Sequence, residues 1–194
     1  MKTFRCLAGA IVLLLGGVWA GAQTLPPAAG DPMPDFALPA PEDDADRRYL
    51  GIDKETTFRI AQIDARVVIV EIFSMYCPHC QREAPTLNRV FRTIEKAPHL
   101  KGRVKMIGIG AGNSAFEVDY FKTTYGVPFP LFADPDFAVH RLLGEVRTPY
   151  FIGIRIEKDG TPRVFYSQLG GAKDAAALID ELLQRSGLVQ GGTS

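Results

Sequence analysis

The chain has 194 residues, 46% hydrophobic and 23% charged, with 22 basic residues balancing 22 acidic ones. That length is enough for one domain with a full core. The sequence shows no basic patch or arm, which argues against nucleic acid as a partner.

Residues 1–22 read as a signal peptide. Lys2 and Arg5 make a short basic start, Leu7 to Trp19 is apolar and small, and Ala20-Gly21-Ala22 carries the small-x-small pattern that precedes a cleavage site. Cleavage is expected after Ala22, placing the protein in the periplasm or outside the cell. The apolar run is short and broken by glycine for a membrane span; a membrane enters only if this segment is left uncut as an anchor. Cys6 leaves with the signal. Loss of Lys2 and Arg5 leaves 20 basic and 22 acidic residues, a net charge of −2, and two cysteines, Cys77 and Cys80.

Residues 23–48 hold Pro26, Pro27, Pro32, Pro34, Pro39 and Pro41, then Glu42, Asp43, Asp44 and Asp46. Proline removes donors and favours extended backbone. The stretch reads as a linker and lead-in with one short strand near residues 36–38, and its acidic run as solvated surface. The domain proper is expected over residues 49–188, with 189–194 as a flexible tail. A short strand is expected near 57–60. Residues 67–73 are an almost unbroken apolar, β-branched run, the pattern of a strand buried on both faces. From Pro78 to about Lys96, Ala84, Leu87, Val90, Phe91 and Ile94 recur at helical spacing. Pro78 suits the first turn, and Pro85 falls inside the helix, where it should kink it.

A second buried strand is predicted over 104–109, ended by Gly110 and Gly112. A helix follows, capped by Asn113 or Ser114 and carrying Phe116, Tyr120, Phe121 and Tyr125. Residues 131–133 read as a short strand, and Asp134 or Asp136 as the start of a helix to about Leu143. Residues 150–157 and 163–168 form a hairpin about the turn Lys158-Asp159-Gly160. Gly170-Gly171 breaks the chain before a closing helix over 174–186. Alternating strands and helices with a terminal hairpin predict an α/β domain, a mixed sheet with helices on both faces.

The chemistry points to residues 67–83. A strand runs into a short loop, then two cysteines two residues apart at the start of a helix. A bridge across so small a loop removes little unfolded-state entropy, so a Cys77–Cys80 disulfide that is made and broken explains the pair better than a structural staple. A cysteine attacks disulfides as its thiolate, and unpaired N–H groups with partial positive charge at a helix N-terminus stabilise that anion. Cys77 is then the exposed nucleophile, and Cys80, one turn on, the buried thiol that resolves the mixed disulfide. His79 either adds charge or a donor near Cys77 or is an ordinary half-exposed loop histidine. No second cysteine or histidine cluster completes a zinc site, and neither metal nor cofactor is expected; His99 and His140 stand alone. Glu71, in an apolar strand, is either a desolvated acid that exchanges protons with Cys80 or a strand-end acid reaching solvent. Glu83 either sets its charge against the thiolates or lies on the helix surface.

Together these residues resemble the thioredoxin family. Glu71 stands six residues before the first cysteine, where thioredoxins have a buried acid, and Pro85 five after the second, where they kink the same helix. Thr148-Pro149 resembles the family's cis-proline, which faces the cysteines. The stretch from Glu71 to Cys80 is similar to the oxidant DsbA, which shares the Pro-His dipeptide. The lead-in Asp31-Pro32-Met33-Pro34-Asp35-Phe36-Ala37-Leu38, the insert over 116–133 and Glu83 resemble the exported TlpA/ResA-like reductases and their alkyl-hydroperoxide-reductase-like relatives. The 69 positions from Cys80 to Pro149 suit that group and are too few for DsbA's helical insertion. Peroxiredoxins place Pro and Thr upstream of the cysteine; Phe73-Ser74-Met75-Tyr76 stand there instead, which argues against peroxidase activity.

The resemblance implies a thioredoxin fold with an N-terminal extension and an α/β insert after the central strand. Its catalytic residues are Cys77, Cys80, Glu71, Glu83, His79 and Pro149. Tyr76, Pro78, Thr148 and Pro149 face the substrate. The implied activity is disulfide exchange with protein thiols and a redox partner protein, by a monomer. The expected direction is reduction, with cytochrome c maturation as one setting. A DsbA-like oxidant is the alternative, and a non-catalytic binding module holding a client or Cu(I) is a second class.

Overall fold

The computed structural model describes residues 25–52, 54–170 and 175–188. The expected signal peptide, Cys6, Gly171 and the tail over 189–194 lie outside the described residues. No helix among those described is long and apolar enough to cross a membrane.

The framework is a five-stranded sheet. Strand β3 (Val67–Phe73) lies at its centre, parallel to β4 (Val104–Ala111), which is parallel to β5 (Leu131–Asp134). On its other side β3 runs antiparallel to β6 (Tyr150–Ile156), which pairs with β7 (Pro162–Leu169) through the expected hairpin. The strand order is β5-β4-β3-β6-β7. All seven residues of β3 are buried, as its apolar run requires. Because side chains alternate along a strand, the central run divides between two cores. Val68, Val70 and Ile72 pack on one face, while Val67, Ile69 and Phe73 pack on the other. The second face also carries the buried side of α2 (Pro78–Lys96), with Cys80, Ala84, Leu87, Val90 and Ile94. Each Leu, Ile or Phe side chain so buried contributes roughly 1.5–3 kcal/mol.

Helices α3 (Ala115–Tyr125) and α5 (Ala175–Ser186) complete that layer. Ser114 caps α3, and Glu117 closes the capping box. The last carbonyls of α3 find donors on α2: Asn88 Nδ2 reaches the Tyr125 and Gly126 oxygens at 2.9 and 3.1 Å. Pro85 lies inside α2 as expected.

The lead-in differs from the expected linker. Met33, Phe36 and Leu38 are buried in the first core. β1 (Leu38–Pro39) pairs with β2 (Thr57–Phe58), and Gly30 N donates to Val164 O of β7 at 2.8 Å. Three apolar anchors outweigh the prolines' disruption, since proline prevents only donation and not packing. The acidic run lies largely exposed, as expected, and also starts a helix, α1 (Asp44–Leu50), capped by Asp43. Asp46 pairs with Lys122 of α3 at 2.6 Å. Gly110 lies within β4 instead of ending it, because a Cβ there meets Val118 Cγ2 of α3 at 2.9 Å and only glycine allows the approach. The helix expected from Asp134 or Asp136 is the short α4 (Ala138–Leu142). Asp134 closes β5, and its carboxylate instead accepts from Val139 N and His140 N at 3.1 and 2.8 Å.

Candidate active site

The carboxyl end of β3 opens into the turn Ser74–Tyr76, which Cys77 N closes onto Ser74 O at 3.0 Å. Cys77 then takes the N-cap position of α2 with extended backbone, φ −84° and ψ 113°, and makes no capping bond with its side chain. Its sulfur stays beside the unpaired N–H groups of the first turn. Pro78 fills the first helical position, where a missing N–H costs nothing. Cys80 follows less than one turn later on the buried side of the helix.

Both cysteines are free thiols and differ sharply in exposure: Cys77 is half-buried, Cys80 wholly buried. Cys77 Sγ donates to the carbonyl oxygen of Thr148 at 3.3 Å. Partial burial opposes its ionisation. Hydrogen bonding at the Thr148 side chain and from the Cys80 and His79 backbone outweighs that, holding the thiol below its ordinary value. Burial pushes Cys80 far above its ordinary value. The Ser74 backbone opposes this shift, and the Glu71 charge adds to it. One pair therefore holds a thiol that ionises readily and one that does not.

Glu71 lies on β3 at the parity of Val67, Ile69 and Phe73, hence on the face that α2 covers, and is buried. Burial pushes its carboxyl up to about 8, with the charges of Glu83 and then Cys77 adding to the effect. The strand-end reading, an acid reaching solvent, does not describe it. Glu83 is half-buried on α2, with its charge felt at Glu71. His79 is exposed, and its Nδ1 accepts from Arg82 Nη2 at 3.1 Å. The imidazole is thus engaged along the helix, and what His79 gives Cys77 is its backbone N–H.

The Thr148–Pro149 bond is cis, and Pro149 is buried beside the pair. Gly170 N donates to Pro149 O at 3.0 Å. His140 lies half-buried on α4, and its Nε2 donates to Val146 O at 2.8 Å, tying down the segment that leads to Thr148. Among the described residues no three His, Cys, Asp or Glu side chains gather as a metal site.

Two open grooves flank Tyr76. One, of about 570 Å³, is lined by Met75, Tyr76, Ser114, Phe116, Glu117 and Tyr120. The other, of about 470 Å³, includes Ser74, Phe137, Arg147 and Thr148. Tyr76, Phe116 and Tyr120 are 66%, 79% and 54% exposed. The Tyr76 hydroxyl donates to Glu117, and Glu117 also accepts from Ser114 N at 2.7 Å.

Sequence reasoning missed the groups that hold the turn. Asn113, considered there only as a helix cap, accepts from Met75 N at 2.8 Å through Oδ1, and Gln81 Nε2 donates to Met75 O at 2.7 Å. One signal was available: in open α/β sheets, sites form beyond the carboxyl ends of strands. Asn113 follows β4 as Cys77 follows β3.

The description AhpC/TSA family matches residues 29–176. No functionally curated protein matches the chain. A Chlorobium tepidum protein taken to be the thiol:disulfide interchange protein DsbE aligns at 19% identity over 82% of this chain and 99% of its own, with TM-score 0.60. A secreted Mycobacterium tuberculosis disulfide oxidoreductase homologous to DsbE aligns at 19% identity over 77% and 95%, with TM-score 0.54. The thioredoxin domain of a Bacteroides vulgatus thiol-disulfide oxidoreductase aligns at 14% identity over 81% and 96%, with TM-score 0.57. What these share with this chain is the fold.

Proposed function

The chain belongs to the AhpC/TSA family and has the thioredoxin fold, and on that premise we propose that it is an exported thiol–disulfide oxidoreductase acting on proteins. The observation that carries this reading is the asymmetric pair: Cys77 half-buried and easily ionised, Cys80 wholly buried and not. The Cys77 thiolate attacks a substrate disulfide, forming a mixed disulfide and releasing one substrate thiolate. Cys80, on losing its proton, attacks Cys77 Sγ; the mixed disulfide breaks and the second substrate thiolate leaves. Two electrons pass to the substrate, and the protein becomes the Cys77–Cys80 disulfide. A redox partner protein regenerates the dithiol.

Glu71 is the proton acceptor for Cys80. A carboxyl raised to about 8 holds or releases a proton near neutrality, which suits a general base. Thr148 and Pro149 face the substrate segment at Cys77, and Tyr76, Phe116 and Tyr120 offer it apolar contact. The exposed rings suit a protein substrate better than a small disulfide.

We favour the reducing direction. The buried Glu71 carboxyl, itself raised further by the half-buried Glu83, opposes negative charge on the thiols, and the His79 ring is bound to Arg82 and not to Cys77. Reduction of an apocytochrome's cysteine pair before haem attachment is one such task. The lowered Cys77 thiol favours the alternative, a DsbA-like oxidant, because a stabilised thiolate stabilises the reduced form. Equilibration with a dithiol buffer decides between them. A reductant lies near the thioredoxin value of about −270 mV, and an oxidant near the DsbA value of about −120 mV. Turnover of insulin disulfides, lost in Cys77→Ser, tests the activity itself.

A further inference from the structure

We propose that Asn113 is a positioning residue of the cysteine site, holding the Ser74–Met75 turn so that Cys80 meets Cys77 in attack geometry. The inference deepens the disulfide-exchange reading and rests on it.

Asn113 is wholly buried although its side chain is an amide. A buried amide persists where its hydrogen bonds are made. Its Oδ1 accepts from Met75 N at 2.8 Å, and its Nδ2 points to Ser74 Oγ at 3.5 Å. Its own N–H donates to Gly110 O at 3.1 Å, fixing the loop that carries it. Gly110 leaves the space: a Cβ there stands 3.1 Å from Asn113 Oδ1. From the other side Gln81 holds Met75 O. Both backbone groups of Met75 are therefore taken by side chains from different elements.

The held turn is the one that touches both cysteines, at the Cys77 backbone and the Cys80 thiol. Ser74 O accepts from Cys77 N at 3.0 Å, and the Ser74 backbone lies against the Cys80 thiol. If the turn shifts, Cys77 moves at the helix start while Cys80 stays locked in the core. The distance between the sulfurs is then what changes. First attack by the exposed Cys77 needs no such register; resolution by Cys80 does.

The test separates those two steps with glutathione disulfide. Cys77 Sγ bonds to one glutathione sulfur and the other leaves as glutathione thiolate. Cys80 thiolate then bonds to Cys77 Sγ, and the second glutathione leaves, taking up a proton. Quenched samples read by mass spectrometry give the rise and decay of the mixed disulfide. In Asn113→Leu, which keeps the volume but accepts nothing from Met75 N, the mixed disulfide should live roughly tenfold longer, with its formation rate within about twofold of the wild type. Asn113→Asp keeps the acceptor for Met75 N and should resolve the mixed disulfide faster than Asn113→Leu. Asn113→Ser, too short to reach Met75 N, carries the same prediction as Asn113→Leu should that variant not fold. Resolution as fast as the wild type's in a folded Leu or Ser variant overturns the proposal. So does a loss of thermal stability without any change in lifetime. A wild type that resolves glutathione normally but turns over no insulin sinks the proposed function and leaves the role of Asn113 standing on its own result.

Discussion

Thr148 and Cys77 are 71 residues apart in the chain, yet the Cys77 sulfur donates to the Thr148 carbonyl oxygen at 3.3 Å. The neighbouring carbonyl, that of Pro149, is turned away and taken by Gly170 N. The segment before β6 thus divides its backbone, one carbonyl anchoring the sheet and the next facing the thiol. When Cys77 is a thiolate or is bonded to a partner, the Thr148 carbonyl loses its donor. A substrate backbone N–H can then take that place.

Under the proposed mechanism, the more exposed Cys77 attacks first and the buried Cys80 resolves. Cys80→Ser should accumulate protein mixed disulfides on Cys77, visible as reducible high-mass bands on a non-reducing gel. Cys77→Ser should accumulate none. The reverse pattern assigns attack to Cys80.

In Cys80→Ser the remaining thiol should titrate below the free-cysteine value of about 8.5, because its thiol is held below the ordinary value. The rate of iodoacetamide alkylation against pH reads this directly, the rate rising with the thiolate fraction. A midpoint at or above the free value contradicts stabilisation by the helix start.

Glu71 makes folding pH-dependent in a defined window. Its carboxyl is raised from 4.5 to about 8, so the folded state binds a proton more tightly than the unfolded one. Its neutral form supports stability fully below 4.5, and that support is lost as pH rises through about 8. The complete loss is of order 5 kcal/mol at most. Denaturant melts of the reduced protein should show wild-type stability falling across this window, while Glu71→Gln stays nearly flat. Parallel profiles for the two proteins place the Glu71 carboxylate in water.

Phe116 and Tyr120 are exposed and outside both cores, so Phe116→Ser and Tyr120→Ser should change stability by less than about 0.5 kcal/mol. If their rings receive protein substrates, kcat/KM for insulin should fall roughly tenfold in the double variant, a loss of about 1.4 kcal/mol in transition-state binding. Exchange with glutathione disulfide should not change. Equal losses on both substrates move the rings from recognition to the chemistry itself.

The charge of Glu83 is felt at Glu71. Glu83→Gln should lower the midpoint of the Glu71-dependent stability change, since the Glu83 charge contributes to raising Glu71. An unaltered midpoint makes Glu83 a surface acid of the helix.

Much of this protein was readable along the chain. The apolar, β-branched run of β3, broken only by Glu71, marked a buried strand. The placement of Cys77 before Pro78 set it at a helix start, where N–H groups are unpaired by geometry. The helical spacing of Ala84, Leu87, Val90 and Ile94 named the buried face of α2, and Cys80 falls on it. These features depend on neighbours within a turn or two, and covalent geometry fixes them. The lead-in was misread for a related reason: Pro and acidic composition describe backbone preference locally, while Met33, Phe36 and Leu38 are held by a core assembled from distant strands.

Tertiary structure alone decided the rest. Thr148 lies 71 residues from Cys77, and only the antiparallel pairing of β6 with β3 brings its carbonyl to the sulfur. Glu71 was legible as a buried acid from its strand, but its charge coupling to Glu83 required α2 to lie across β3. Asn113 and Met75 are 38 residues apart, and nothing local marks either for the other. They meet because β3 and β4 run parallel and adjacent, so both strands deliver their next residues to the same edge of the sheet. The sequence determined a cysteine pair at a helix start; the order of the strands decided what surrounds it.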